Sequence, residues 1–328
     1  VDRKGAPTII EQIKVLKRAA GPKTQAMVVE CMALNTEYQR VSEERMIKAT
    51  DGVIINIRRD HIEQLGFELP QIARSLSSTA PRNAPLFTAE TRPELTKILQ
   101  AEARTKGGDL VAATLDDVSD QELEAFGPLT FAENVAIALK IADRYGVDRE
   151  TALRGMREAR LDPGASQIFH HEVEGRNLYW VSLFGVNDVE SAQDNLSRVL
   201  KWARDRGSVG LVLNNRADRE ARTLEFAAMV ADMSEDVNAV LLTGENLETL
   251  QSEVASKGID DTTILQIEDG MSAGDILQSV PMKGDVVLVG LANIHTADAD
   301  QIRASLEGDK LLWKGDADPD DNMGEQGA

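Results

Sequence analysis

The apolar run Gly52-Val-Ile-Ile leads directly into Asn56-Ile-Arg-Arg-Asp60-His61-Ile-Glu63. A buried strand that ends in Asn and then presents an acid, an imidazole and a second acid places metal-capable groups where open α/β sheets bind ligands, at the carboxyl end of the strand. Upstream, Val28-Val-Glu30-Cys-Met-Ala33 has the same form, an apolar run followed by an acid. A carboxylate and an imidazole on neighbouring strand ends can share one metal ion. Plainer roles are open to both residues: His61 as a loop histidine, Glu30 as a cap for the segment after it.

Other residue groups could face a ligand or recognise anions. Asn134 stands three residues into the helical pattern of Phe131–Tyr145, where its amide can face a ligand or simply begin the helix. Arg160 and Asp162 flank the Pro163-Gly164 turn and could stabilise that turn alone. Arg216, Arg219 and Arg222 follow the apolar run Leu211–Leu213 and the amides Asn214 and Asn215. Clustered guanidiniums suit carboxylates and phosphates because they bind in a two-pronged fork, although pairing with Glu220 and Glu225 would account for them equally.

These residues need strands and helices to hold them. Short β-branched runs occur at Met27–Val29, Val53–Ile57, Leu86–Thr88, Leu110–Thr114, Tyr179–Phe184, Gly210–Asn214, Val240–Thr243, Thr263–Gln266 and Val286–Gly290, separated by helix-length segments. That alternation predicts α/β layers with mainly parallel sheets. The clearest helices are Phe131–Tyr145, which stops at Gly146, and Ser191–Arg204, which carries Leu196, Val199 and Leu200 on one stripe. The turn in Asp162-Pro-Gly-Ala-Ser-Gln-Ile-Phe-His-His predicts a change of domain near residues 165–176. Two domains are expected, 1–165 and 170–314, with an acidic tail at 315–328 too poor in apolar residues to order itself.

Bulk properties narrow the function. The chain has 328 residues, 42% hydrophobic and 28% charged, and no stretch of the roughly 20 apolar residues that a spanning helix needs. No secretory leader is visible, so a cytoplasmic setting is expected. A formal net charge of −19 argues against nucleic acid and anionic lipid as partners. The single cysteine, Cys31, lies in an apolar run and is expected to be a small buried side chain.

Taken together, the motifs resemble the Mur ligases, and within them the poly-γ-glutamate synthases. The segment Asn56–Glu63 is similar to that family's Asn-x-x-x-Asp-His-hydrophobic-Asp motif, with Glu63 in the last place. Glu30-Cys-Met-Ala33, Pro7–Gln12 and Ser42–Lys48 resemble the synthase branch. The resemblance implies a Mur-ligase-like, P-loop-NTPase-like central domain and a Rossmann-like carboxyl-terminal domain. It implies ATP and Mg²⁺ as cofactors, with Glu30 and His61 as metal ligands and Asp60 beside them at the reaction centre. Asn134, Arg160 and Asp162 would meet the nucleotide, and Asn187, Asn214, Arg216 and Arg219 the glutamate or polyglutamate substrate. Membrane subunits of a synthesis complex would be partners, and the chain would sit peripheral to the cytoplasmic face of the membrane.

Two departures stand beside that match. Gly290-Leu-Ala-Asn293 is less glycine-rich than the turn expected there, and no lysine lies between Lys48 and Lys97 to serve as a modified metal-site residue. The phosphate loop Gly-x-x-x-x-Gly-Lys-Ser/Thr is absent from the sequence, and Gly21-Pro-Lys-Thr lacks its first glycine. Because the resemblance begins at Pro7–Gln12, downstream of that loop in the family, the expectation is that Val1 is a late start. The reading from a different class is an inactive, ligase-like scaffold of a membrane export complex. A folylpolyglutamate-type ligase is a third reading, against which Glu30-Cys-Met-Ala33 speaks.

Overall fold

The computed structural model describes residues 9–159, 166–186, 188–233, 236–257, 259, 262–307 and 311–312. By contacts the chain divides into Val1–Thr114 and Leu115–Ala328. Each unit is an α/β assembly built on a sheet that is parallel throughout or nearly so.

The first unit holds helices α1 (Ile9–Ala19), α2 (Thr36–Val41), α3 (Ile62–Leu65), α4 (Leu69–Leu76) and α5 (Pro93–Thr105). Its three strands, β1 (Gly52–Val53), β2 (Leu86–Thr88) and β3 (Leu110–Ala112), form a parallel sheet in the order β1-β2-β3. Proline begins α5, where a missing N–H costs nothing and the fixed φ suits the first turn. The core joins Ile54 and Ile57 to Ile72 of α4, Leu86 of β2 and Leu95 and Leu99 of α5, all buried. A fully buried aliphatic side chain of this kind contributes about 1.5–3 kcal/mol relative to an exposed one. After α2 the chain continues as one turn of π-helix, Ser42–Ile47, and leaves it through left-handed Lys48 at φ 53°.

The expected strand at Met27–Val29 does not form. Residues 24–34 run without regular structure, and β1 pairs only with β2. A strand is buried by its neighbours and by helices on its faces, and lacking these, Val28 is fully exposed. Cys31, expected to be buried, is exposed for the same reason.

The second unit contains α6 (Asp120–Glu124), α7 (Ala132–Arg144) and α8 (Arg149–Glu158), then β4 (Gln167–Val173), β5 (Arg176–Ser182), α9 (Val189–Ala203), β6 (Ser208–Asn215), α10 (Glu220–Asp232), β7 (Ala239–Gly244), α11 (Leu247–Ala255), β8 (Thr262–Ile264), α12 (Ala273–Ser279), β9 (Val286–Ala292) and α13 (Ala297–Leu306). Contacts group α6–α8 with this sheet: Arg198 of α9 lies 4.8 Å over the Phe131 ring and donates to the Thr130 carbonyl at 3.1 Å. The sheet order is β4-β5-β9-β6-β7-β8, with β4 antiparallel to β5 and every other pairing parallel.

Helices cover both faces. Side chains of α9, α10 and α11, such as Leu196, Phe226 and Leu250, pack on one face, and those of α12 and α13, such as Ile276 and Ile302, on the other. Central β9 (Val-Val-Leu-Val-Gly-Leu-Ala) is therefore apolar and buried along its whole length. Gly290, read from sequence as part of a turn, lies inside β9, and a Cβ there would press on Trp180 and Phe184. On the outer side of β4, Phe169 bridges to Leu311, and the Leu312 N–H donates to the Ile168 carbonyl at 2.8 Å. The expected tail 315–328 lies outside the described residues.

Candidate functional site

In the first unit the site builds from the end of β1. Pairing continues past the strand proper, with the Ile54 N–H donating to the Phe87 carbonyl at 3.0 Å and the Ala89 N–H to the Ile55 carbonyl at 2.9 Å. Beyond Ala89 two side chains take over from the ladder. Glu90 Oε2 accepts the Ile57 N–H at 2.9 Å, and Arg92 Nη2 donates to the Ile57 carbonyl. The two side chains also grip each other: Arg92 Nε reaches Glu90 Oε1, and Nη2 reaches Oε2, each at 2.7 Å. Burial pushes the Glu90 carboxyl up, but its bonds to Arg92 and to the Arg92 and Ile57 amides outweigh this and hold it below the usual carboxylate range.

Three residues after Ile57 come Asp60 and His61, both half-exposed, at 45% and 46% of the side chain. His61 precedes α3 in the left-handed conformation, φ 45° and ψ 43°, an unusual state for a residue with a Cβ. Its N–H donates to Asp60 Oδ1 at 2.9 Å, and its Nε2 lies 3.7 Å from Asp60 Oδ2. A carboxylate and an imidazole thus face solvent side by side at the carboxyl end of a parallel strand. Glu63, in the first turn of α3, is exposed beside them.

Glu30 is exposed in the unstructured stretch before α2, where its backbone carbonyl accepts Gln12 Nε2 at 3.1 Å. It does not end a strand, contrary to the sequence expectation. Among the described residues no three His, Cys, Asp or Glu side chains gather as a metal-holding group. Asp60 and His61 thus lie against each other, whereas among the described residues no hydrogen bond or ion pair joins Glu30 to them.

In the second unit, Asn134 is exposed in the first turn of α7, while Ala132, Val135, Ala136 and Leu139 are buried. Arg160, Asp162 and Asn187 lie outside the described residues. The next residue, Asp188, caps α9 by accepting the Ser191 N–H at 2.8 Å.

A polar cluster fills the carboxyl ends of β6 and β9. Adjacent parallel strands whose following helices pack on opposite faces form a topological switch point, and β6 and β9 are such a pair: α10 packs on one face and α13 on the other. Asn214 is fully buried there. Its Nδ2 donates to the Asn293 carbonyl at 2.5 Å, its Oδ1 accepts Thr296 Oγ1 at 2.9 Å, and Asn293 Nδ2 returns a bond to the Asn214 carbonyl at 3.0 Å. Thr223 joins the group through Asn215 Oδ1 at 2.8 Å, and Asp298 accepts from Thr243 Oγ1 at 2.7 Å and the Gly244 N–H at 2.9 Å. Ala292, the last residue of β9, holds φ 83°, a strained value for alanine.

At the rim, Arg216 makes a two-pronged pair with Asp218, Nε to Oδ1 at 2.7 Å and Nη2 to Oδ2 at 2.6 Å, which holds the Asp218 carboxyl below its usual range. Arg219 is exposed one turn on, and Arg222 is half-buried in α10. Arg216 and Arg219 thus both act on Asp218 just past the carboxyl end of β6, where the buried Asn214 serves as an internal brace. Glu90, Arg92, Asn293, Thr296 and Asp298 have no place in the sequence-derived set of site residues, and Asn293 alone left a trace, as part of the departure after Gly290.

Residues 168–309 match the family described as the poly-gamma-glutamate synthase CapB C-terminal domain. PGA synthase CapB of Bacillus subtilis (strain 168) is 30% identical over 292 residues, which cover 89% of this chain and 73% of that protein. The chain belongs to the CapB family. Capsule biosynthesis protein CapB of Bacillus anthracis is 31% identical over 296 residues, 90% of this chain, and the chain spans 63% of that relative's length.

Solved structures share the fold. A bifunctional folylpolyglutamate synthase/dihydrofolate synthase of Yersinia pestis, complexed with AMPPNP and a Mn ion, superposes with a TM-score of 0.56 at 17% identity, covering 79% of this chain and 62% of that one. E. coli FolC in complex with DHPP and ADP gives a TM-score of 0.55 at 20% identity, covering 75% of this chain and 59% of that one. The α/β architecture of the CapB-family chain is thus that of the folylpolyglutamate synthases. No helix among the described residues is long and apolar enough to cross a membrane.

Proposed function

We propose that this chain is part of an ATP-dependent amide ligase that extends poly-γ-glutamate for a capsule. The observation that carries the reading is the 30% identity to a PGA synthase over 89% of the chain. In this reading a γ-carboxylate oxygen at the end of the polymer attacks the γ-phosphorus of ATP, and ADP leaves with the electron pair of the broken P–O bond. The amine of an incoming glutamate then attacks the acyl carbon, phosphate departs with the C–O bonding pair, and the amine gives up a proton to form the amide.

The donor chemistry of Asp60 and His61 fits a divalent ion that retains several waters, and Mg²⁺ is the ion proposed, with Glu30 as a further ligand. When bound, the ion would neutralise phosphate charge. Asn134, Arg160 and Asp162 would contact ATP, within a nucleotide-handling half at 1–165. Asn187, Asn214, Arg216 and Arg219 would serve the substrate in a half at 170–314: the arginines by pairing with glutamate carboxylates, Asn214 by holding the Asn293 segment beneath them. The folylpolyglutamate synthases of like fold are described with ADP, or with AMPPNP and Mn, which agrees with a nucleotide and a divalent cation here. Membrane subunits of a polyglutamate complex are the proposed partners, with this chain at the cytoplasmic face.

The test is glutamate-dependent phosphate release with ATP, Mg²⁺ and a polyglutamate primer, compared between the wild type and His61→Ala in a version of the protein that carries a Gly-x-x-x-x-Gly-Lys-Ser/Thr loop ahead of these residues. Release by the wild type and its loss in the variant are expected. Wild-type turnover in His61→Ala removes His61 from the site, and no release from the loop-bearing wild type overturns the ligase reading.

A further inference from the structure

We infer that Glu90 and Arg92 are positioning residues that aim the Asp60–His61 pair by clamping the Ile57 peptide unit on both sides. The inference rests on the reading of Asp60 and His61 as a divalent-ion site. Strand β2 supplies ladder partners only as far as Ile55, because after Ala89 its chain turns toward α5. The next inward-facing residue, Ile57, is fully buried, and its N–H and carbonyl would lack partners if no side chain replaced the missing strand.

Glu90 and Arg92 make that replacement with complementary chemistry. The carboxylate takes the Ile57 N–H, and the guanidinium meets the Ile57 carbonyl. Each side chain is itself fixed. Glu90 is 5% exposed, its Oε1 accepts the Arg92 N–H at 2.9 Å, and the Glu90 N–H is held by Thr88 Oγ1 at 3.1 Å. A two-pronged guanidinium–carboxylate contact has one favoured plane, so the pair fixes direction as well as distance. Only Arg58 and Arg59 separate this anchor from Asp60, and His61 follows in a left-handed conformation that needs its surroundings to hold it. Held at one end by the clamp and at the other by α3, the segment has little freedom to carry the carboxylate and imidazole elsewhere.

The experiment uses the full chain as wild type, Glu90→Gln and Arg92→Lys, with two readouts. Backbone hydrogen exchange followed by fragment mass spectrometry should show segment 57–62 exchanging at least tenfold faster in both variants. Protection at Gly52–Val53, Leu86–Thr88 and throughout β4–β9 should stay as in the wild type. Mn²⁺-induced broadening of the His61 ring signals, assigned with His61→Gln, should require several-fold more Mn²⁺ in the variants. Equal loss of protection across all three strands of the first unit would make Glu90 and Arg92 general stabilisers and overturn the inference, as would unchanged exchange at 57–62. If Glu90→Gln does not fold, Arg92→Lys, which keeps the charge but loses the planar fork, decides alone. Absence of Mn²⁺ broadening in the wild type defeats the ion-site reading, and the exchange readout still decides whether the clamp exists.

Discussion

Gly290→Ala tests the packing of the six-stranded sheet where two buried rings crowd its strand β9. The added Cβ would lie 2.8 Å from Phe184 Cε1 and Cζ and nearer still to Trp180 Cη2, against an ordinary carbon–carbon contact of about 3.5–4.0 Å. Both rings are buried, at 0% and 1% exposure, and they pack on each other with centroids 5.4 Å apart, so neither yields without disturbing the other. Overpacking of this kind costs about 1–3 kcal/mol, partly offset by roughly 0.5–1 kcal/mol from the lower backbone entropy of alanine in the unfolded chain. A net loss of about 1–2 kcal/mol follows, which for a unit of this size lowers the melting temperature by about 2–8 °C. Thermal unfolding followed by far-ultraviolet circular dichroism measures the shift, and the near-ultraviolet signal of Trp180 should change at temperatures where the fold is intact. In a Trp180→Phe background, which removes the nearest ring atom, the cost should be smaller by a measurable coupling. A melting temperature equal to the wild type, with an unaltered aromatic signal, would refute the packing argument.

Three further outcomes are expected from the structure. Asn214→Ala strips partners from the Asn293 carbonyl and the Thr296 hydroxyl, each in the buried switch point, and should lower urea stability by about 2–4 kcal/mol; a loss under about 0.5 kcal/mol would deny the brace its role. The Glu90 carboxyl is held below the usual range, so its stabilisation is complete above the unfolded carboxylate value near 4.3 and is lost as pH falls through the lower folded value; urea midpoints of the first unit should drop below about pH 4, and Glu90→Gln should flatten that slope. Glu122, drawn down to about 2 by Arg149 and by the Ser119 hydroxyl and amide, should go on stabilising the start of α6 until the pH nears that value, and because the pair lies at the surface, with the Arg149 side chain 51% exposed, Glu122→Gln should cost only about 1 kcal/mol in urea titrations at pH 7.

What could be read from the sequence followed from where each element is buried. The runs at Gly210–Asn214, Val240–Thr243 and Val286–Gly290 announce strands because β6, β7 and β9 are covered on both faces, so their apolar residues are continuous. The stripe Leu196, Val199 and Leu200 announces α9 because only one side of that helix meets the sheet. Met27–Val29 has the same composition but no neighbours to pair with, and composition carries no information about partners. Strand β4 was hidden for the opposite reason: it lies beside a single strand of the sheet and tolerates His170, stacked on Tyr179 with centroids 4.8 Å apart, and His171, bonded to the Leu306 carbonyl. The Asp60–His61 pair was legible because motif and contact are adjacent in sequence. Glu90 and Arg92 were not, since two charges separated by one residue look like any surface pair until Ile57, more than thirty positions away in sequence, is seen between them.

The short bridge from Leu311 and Leu312 to β4 has a consequence for how copies of this chain meet. A bare outer strand offers a row of unsatisfied amides and carbonyls on which a second molecule could template itself. Here the Ile168 carbonyl is already taken by Leu312, and Phe169 is already bridged to Leu311, so the start of that row is occupied from within the same molecule. The start of that outer strand is thereby blunted against runaway stacking of copies.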